Sequence, residues 1–226
     1  MKRVITALLA ALLALSLAAC GSRVETKKLA GTWTCTIDVT DRMNAAAEQA
    51  LGLSAADGTA QMPLQLVLTV TEDGAYTLRY DSDAVRTALD AYAAALHPAA
   101  VESVYAAAEE QGLSREEYDA AMEKAGITMD DMVAAIFAGV DEEELLSLLT
   151  GRSAALTGYC RAESGQLYLA DTAAELAETA DCLSYTLSDG TMTWTDAQGE
   201  LSSQLTEQEQ ELLRVPLTWT KQEESK

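Results

Sequence analysis

Two strand-like segments, residues 29–80 and 154–221, enclose a helix-like segment, residues 81–151, and this order constrains the fold more than any other feature. In the outer segments apolar residues alternate with polar ones. The clearest example is Gly31–Thr40, where Trp33, Cys35, Ile37 and Val39 share one face. An alternation with a period of two is typical of half-buried antiparallel strands. The sequence therefore predicts β-structure at both ends of the folded region and helices between them.

Short turn sequences join the predicted strands into hairpins. The turns fall at Glu72-Asp73-Gly74, Ser164-Gly165 and Asp189-Gly190, which are residue types that favour tight hairpin turns. An antiparallel meander of about eight strands commonly closes into a barrel, because closure removes its exposed edges. The predicted fold class is therefore α+β, an antiparallel, roughly eight-stranded β-barrel with a helical insertion after the third strand. An open, strongly curved sheet with the helices packed over one face is the alternative.

Capping residues divide the helical segments. Asp41 is expected to cap a short helix that ends at Gly52. Within the insertion, His97-Pro98 is expected to interrupt the first helix, because a residue before proline avoids helical backbone angles. Further helices are predicted from their start and stop residues: Ser114 with Glu117 to Gly126, Thr128 to Gly139, and Asp141 with Glu144 to Gly151.

The segment Gly31-Thr32-Trp33 resembles the G-x-W start of lipocalin-like (calycin) barrels, in which the tryptophan plugs one end. The resemblance covers residues 30–80 and 154–221. It implies a lipocalin-like barrel that binds a small ligand. The helical insertion at residues 81–151 is not part of the usual pattern of that family.

Residues 1–20 have the layout of a secretory signal: Lys2 and Arg3, then an apolar run from Val4 to Leu17, then small residues. The run is shorter than the roughly 20 residues that span a bilayer, which argues against an uncleaved transmembrane helix. Leu17-Ala18-Ala19-Cys20 resembles a bacterial lipobox, which implies cleavage before Cys20 and acylation of its thiol. The expected divisions are a signal peptide (1–19), a lipidated tether (20–28), one barrel domain (29–221) with the insertion at 81–151, and a tail (222–226).

This resemblance implies a protein held by lipid at Cys20 on the extracytoplasmic face of a cell membrane. Removing residues 1–19 takes away Lys2 and Arg3 and leaves 13 basic and 36 acidic residues, a net charge of −23. So acidic a chain repels nucleic-acid phosphates, so no nucleic acid is expected as a partner. The insertion carries 16 acidic and 3 basic residues. Its acidic surface is a solvated face, a docking surface for a basic protein partner, or a lid across the barrel mouth.

The sequence contains none of the common catalytic or cofactor motifs, including G-x-S-x-G, H-E-x-x-H, Walker A and G-x-G-x-x-G. The one histidine, His97, is expected to be a surface or capping residue. The acidic runs Asp130-Asp131 and 141–144 lie at predicted helix starts, where the helix dipole favours negative charge. We therefore expect no cofactor, no metal site and no enzymatic activity.

Three cysteines remain when Cys20 is set aside, and their odd number leaves at least one unpaired thiol. Cys35 and Cys160 fall on apolar strand positions, which favours small buried side chains. A Cys160–Cys182 bridge and a Cys35–Cys160 bridge are both compatible with the sequence.

Six aromatic residues are predicted to point into the barrel. They are either plain core packing or the lining of a site for one small apolar or amphipathic ligand, with hydroxyl groups that orient it. The leading hypothesis is a non-enzymatic, lipid-anchored binding protein. A cell-envelope interaction module that uses the acidic helices is the second, and a hydrolase without a recognisable motif is the third. The candidate ligand-binding residues are Trp33, Tyr76, Tyr80, Tyr185, Trp194 and Trp219.

Overall fold

The computed structural model describes residues 25–53, 60–137, 155–178, 182–198 and 215–223. Its eight strands form one closed antiparallel barrel in which each strand pairs with the next and β8 returns to β1. This confirms the predicted α+β fold class, and closure rules out the open sheet. The strands are β1 Gly31–Asp38, β2 Pro63–Val70, β3 Ala75–Tyr80, β4 Leu156–Glu163, β5 Gln166–Ala170, β6 Cys182–Ser188, β7 Thr191–Gln198 and β8 Leu217–Lys221.

The described helices are α1, Thr40–Leu51, between β1 and β2, and three helices between β3 and β4. These three are α2 Ser82–Glu110, α3 Arg115–Ala125 and α4 Met129–Phe137. The helical insertion after the third strand is therefore confirmed. A short 3₁₀ helix, Glu175–Ala177, follows β5. None of the helices in the described ranges is long and apolar enough to cross a bilayer.

The three predicted tight turns are present, and each contains the left-handed backbone that its sequence favours. Ser164 and Gly165 have φ angles of 54° and 76°, and Asp189 and Gly190 have 45° and 76°. Two successive residues with positive φ match the right-handed twist of the flanking strands. Local turn chemistry therefore fixes the β4–β5 and β6–β7 registers.

Connections between consecutive antiparallel strands alternate between the two ends of the barrel. The end with the tight turns at 71–74, 164–165 and 189–190 is called the turn end below. The other, the connection end, is where the chain leaves and re-enters the barrel for its four long connections. Trp33 pairs with Lys221, so β1 starts and β8 finishes at the turn end.

The chain forms two compact units. One holds most of the barrel: the described residues up to Cys35, Leu66–Tyr80 and the described residues from 155 onward. The other, called the helical unit below, holds the described parts of Thr36–Gln65 and of residues 81–137. Its core is built on Leu53, Ala100 and Val133, which are all buried. Partly buried apolar residues pack against them: Leu51, Ala99, Val101, Met129, Ile136 and Phe137.

Helix α2 runs unbroken through Pro98, so the predicted interruption at His97-Pro98 is wrong. Proline removes the hydrogen bond to the carbonyl of Ala94. Both Pro98 and Ala94 are exposed, so water can satisfy that carbonyl while the buried face continues. Burial of the apolar face outweighs the local preference. The buried residues of α2 are Val85, Ala88, Tyr92, Leu96, Ala100 and Ala108.

Two predicted boundaries are also wrong. Helix α1 begins at Thr40, and Asp41 lies in its first turn instead of capping it, although Gly52 ends the helix in left-handed conformation as predicted. The sequence also predicts a strand from Leu213 to Thr220, with Val215, Leu217 and Trp219 on one side. Strand β8 instead begins at Leu217 and leaves Val215 outside it, because Pro216 has no N–H to give to a strand ladder.

The capping box at Ser114 and Glu117 and the stop at Gly126 are confirmed. Thr128 and Asp131 bond to each other at the start of α4, where a helix start was predicted. The boundaries predicted at Gly139, Asp141 with Glu144, and Gly151 lie outside the described residues.

Candidate functional site

The segment directly before β1 packs against the turn end of the barrel. Residues 25–29 are helical, although the sequence predicts that residues 25–28 belong to the tether. Thr26 is buried, and its Oγ1 accepts a hydrogen bond of 3.0 Å from the backbone N–H of Ala162 in β4. Leu29 is 1 % exposed. We call residues 25–29 the plug.

Trp33 ties the plug to the barrel. Its indole Nε1–H donates a 2.7 Å hydrogen bond to the carbonyl oxygen of Leu29. The ammonium of Lys221 lies 5.3 Å from the centroid of the Trp33 ring, within the range of a cation–π contact. The tryptophan of the G-x-W segment therefore lies at the plugged end, and its one side-chain donor, the indole N–H, is hydrogen-bonded.

Tyr185, Trp194 and Trp219 form a contiguous aromatic cluster on β6, β7 and β8. Tyr185 and Trp194 are register partners, next to a bulge between Ser184 and Tyr185. The rings of Trp194 and Trp219 lie 4.8 Å apart, centroid to centroid, with a tilt of 47°. Three of the six predicted ligand-binding residues are therefore brought together, which we call the aromatic cluster.

Both tryptophans of the aromatic cluster are buried with unused donors. Trp194 is 6 % exposed and Trp219 0 % exposed. Neither indole Nε1–H finds an acceptor within the described part of the chain. Buried polar groups are nearly always hydrogen-bonded, so two orphan donors in one ring pair require a partner.

Burial raises the pKa of the Tyr185 hydroxyl to about 12, with smaller contributions from the charges of Glu25 and Cys160. Tyr185 is thus an uncharged donor and acceptor at physiological pH. Glu25, in the plug, has its Oε2 buried without a donor among the described residues. The sequence predicts Glu25 as part of the tether, because no local pattern separates a polar plug from a polar tether.

Tyr76 and Tyr80 lie on β3, away from the aromatic cluster along the chain. Tyr76 is buried and packs over Gly158, because a Cβ at Gly158 would lie 2.9 Å from the Tyr76 ring. Tyr80 is half-buried at the last position of its strand, where it pairs with Leu66.

Among the described residues, no basic side chain is buried as a whole, although the Nε of Arg161 is buried without an acceptor. Thr26 is the one polar or charged residue that is buried as a whole among the described residues. Arg161 stacks over Tyr168 at 4.3 Å and pairs with Glu163 at 2.8 Å, and its register partner Tyr168 is only half-buried. The described residues therefore offer the aromatic cluster no buried cation that is free to pair with an anion.

Cys35, Cys160 and Cys182 are buried and form no disulfide with one another. Cys160 pairs with Leu169, and Cys182 pairs with Tyr168. Since neighbours on a strand point to opposite faces, Cys160 and Cys182 lie on opposite faces of the sheet. The Cys182 thiol instead donates a 3.2 Å hydrogen bond to Gln166 Oε1.

Many of the described acidic residues of the helical unit take part in local structure. Glu102 accepts a bidentate hydrogen bond from Arg115 at 2.7 and 3.1 Å, and Arg115 lies 4.7 Å from the Tyr105 ring centroid. His97 pairs with Asp130 at 3.1 Å on the surface. In the ranges that the structure describes, no group of three His, Cys, Asp or Glu residues could hold a metal ion.

Comparison with known proteins identifies no relative. No family model, no curated protein and no solved structure matches the chain.

Proposed function

We propose that this protein is a lipid-anchored, extracytoplasmic binding protein, without enzymatic activity, that takes one small amphipathic or apolar ligand into its barrel. The observation that supports this most is the combination of a fully paired eight-stranded barrel and a plug at its turn end. Barrels of this strand number either fill with side chains or hold one small ligand. The orphan donors of Trp194 and Trp219 favour the second arrangement.

The proposed anchor at Cys20 precedes Glu25 by five residues. Five residues span at most about 18 Å when fully extended. Acylation of Cys20 would therefore hold the turn end close to the membrane surface and direct the connection end away from it. A ligand would then exchange at the side that faces the aqueous compartment.

Mass spectrometry and fractionation test the anchor. In the native host, the full chain is expected in the membrane fraction with its N-terminal peptide starting at an acylated Cys20. Cys20→Ala should lose the acyl groups, whereas the matched variant Cys182→Ala should keep them. An unmodified Cys20 in the wild-type chain would overturn the anchor.

Native mass spectrometry of the protein from its own host, with uptake of the apolar probe N-phenyl-1-naphthylamine, tests the binding function. A bound molecule of a few hundred daltons, or saturable uptake of one probe per chain, is expected for an eight-stranded ligand-binding barrel. A chain that carries nothing and takes up no probe would overturn it.

A second candidate function, an interaction module for a basic protein partner, is favoured by one region of the helical unit. Leu113 and Ile127 are exposed large apolar residues. Glu110, Glu116 and Glu123 form no ion pair with the described residues. Six other described acidic residues of the unit are engaged by helix caps, Arg115 or His97: Asp81, Glu102, Glu109, Glu117, Asp130 and Asp131. Glu110, Glu116 and Glu123 therefore keep their charge available to a basic partner.

Photocrosslinking in the native host distinguishes this candidate. A photoreactive residue at position 113 should give one discrete adduct, and the same residue at the exposed barrel position Thr157 should not. Equal labelling at both positions, or none at 113, would exclude the interaction module.

A further inference from the structure

The polarity of the aromatic cluster indicates which chemical class of ligand fits it. This inference depends on the proposed binding function and adds the ligand's functional group. The chain has three tryptophans, and all three are buried. Trp33 donates to Leu29, but Trp194 and Trp219 have no acceptor among the described residues. The missing partner must therefore be a hydrogen-bond acceptor.

Two observations argue against an anionic acceptor. No basic side chain among the described residues is buried as a whole. Arg161, whose Nε is buried without an acceptor, already pairs with Glu163 at 2.8 Å, so its charge is compensated before a carboxylate or phosphate could use it. Glu25 also presents a buried Oε2 without a donor in the same unit, and its charge acts on Tyr185, the register partner of Trp194. An added negative charge would be desolvated and repelled.

We propose that the barrel binds an uncharged amphiphile whose carbonyl, ester or hydroxyl oxygen accepts hydrogen bonds from the indole N–H groups of Trp194 and Trp219. The apolar part of the ligand packs against the aromatic rings, which lie 4.8 Å apart.

Indole N–H signals in NMR spectra test the proposal directly, because the three tryptophans give three resolvable probes. The full chain, labelled with ¹⁵N at tryptophan, is held in nanodiscs of a diether phospholipid, which has no ester carbonyl of its own. The probes are methyl dodecanoate, dodecanoate at pH 9 and dodecane, which share a chain length and differ in polar group. Affinity is read from displacement of N-phenyl-1-naphthylamine, with empty nanodiscs as the blank.

Methyl dodecanoate is expected to shift the indole N–H signals of Trp194 and Trp219 and to leave that of Trp33 in place. Dodecane should bind without moving them, and dodecanoate should bind at least about ten-fold more weakly, because its charge would be buried uncompensated. Trp194→Phe and Trp219→Phe should each lower the affinity for methyl dodecanoate about five-fold, the usual effect of one neutral hydrogen bond. Neither substitution should lower the affinity for dodecane. Thr157→Ala, at an exposed barrel position, is the control, and thermal unfolding of all three variants reports on folding.

The possible outcomes distinguish failure of the acceptor inference from failure of the proposed binding function. If dodecane and the ester bind equally and the indole signals stay still, the donors are satisfied by water and the acceptor inference fails while the binding function stands. If dodecanoate binds most tightly, the ligand is an anion and the inference is wrong. If none of the three probes displaces the dye, both the inference and the binding function fail.

Discussion

The ammonium of Lys221, the last residue of β8, lies 5.3 Å from the centre of the Trp33 ring, near the start of β1. The pair closes the barrel seam at the plugged end, where Trp33 also donates to Leu29. One side chain thus links the first strand, the last strand and the plug.

Lys221→Ala should lower the free energy of unfolding by about 0.5–1 kcal/mol, because it removes the cation–π contact on Trp33. Lys221→Arg should retain most of that stability. Urea unfolding followed by tryptophan fluorescence measures both. Lys27→Ala, which removes only an exposed ion pair with Glu72 at 3.4 Å, is the control. An equal loss at Lys27 and Lys221 would contradict a special role for Lys221.

Gly158→Ala should destabilise the barrel by about 1–3 kcal/mol, the usual cost of overpacking. A methyl group there would meet the backbone oxygen of Ala170 and the Tyr76 ring, and the oxygen belongs to the paired strand β5. Thr157→Ala, at the exposed neighbouring position, should change stability little. Chemical denaturation of the two variants checks the contrast, and a neutral Gly158→Ala would show that the strands can separate locally.

Pro98→Ala should stabilise the helical unit by about 1–3 kcal/mol. It restores a backbone N–H within α2 and removes a residue that costs about 3 kcal/mol in a helix interior. Ser103→Ala, at another exposed position of α2, should give only a few tenths of a kcal/mol. Thermal unfolding followed by far-UV circular dichroism measures the difference. A destabilised Pro98→Ala protein would mean that the helix needs its proline.

Cys160 should resist alkylation in the native protein. Desolvation raises the pKa of its thiol to about 12, so almost no thiolate exists at pH 8. Burial also raises the pKa of Cys35, and that thiol should behave likewise. Iodoacetamide labelling followed by peptide mass mapping, with and without 6 M guanidinium, checks both. Rapid native labelling of Cys160 would show that the barrel wall opens.

The helical unit should lose stability as the pH falls below about 5. Hydrogen bonds from the Ser114 backbone and side chain lower the pKa of Glu117. A carboxylate with a depressed folded pKa stabilises the fold fully above its unfolded pKa, and this contribution disappears as the pH falls through the folded pKa. The free energy of unfolding from pH 7 to pH 3 should therefore fall less steeply in Glu117→Gln.

Glu116→Gln is the matched control for that measurement. Glu116 is an exposed neighbour that makes no hydrogen bond to the described residues. Its pH profile should follow the wild type. Identical slopes in all three proteins would mean that the Ser114–Glu117 capping box does not contribute to acid sensitivity.

The sequence predicts the barrel because its signals are local. Alternation defines the strands, and Asp189-Gly190 and Ser164-Gly165 define two of the hairpins. The continuity of α2 through Pro98 depends on burial against other helices. Local sequence preferences carry no information about that burial. The plug at 25–29 could not be predicted from the sequence either, because it carries Glu25 and Thr26, which are residue types typical of a flexible tether.

The aromatic residues were predicted as a set, but the sequence could not group them. Trp194 and Trp219 meet because β7 and β8 pair in a particular register, and Tyr185 joins them next to a bulge. Strand register decides which aromatic residues meet. Tyr76 packs over Gly158 instead, and Trp33 donates a hydrogen bond to Leu29 in the plug.

The pairing of Trp33 with Lys221 has a consequence for engineering. Because the barrel begins and finishes at neighbouring points, a short glycine-rich linker would join Lys221 to the plug without crossing the strands. New ends cut at Asp189-Gly190, an exposed tip, would give a circular permutant with the same pairing order. In such a permutant each strand would keep its neighbours in the barrel, but the ribosome would synthesise β7 and β8 first and β1 to β6 after them.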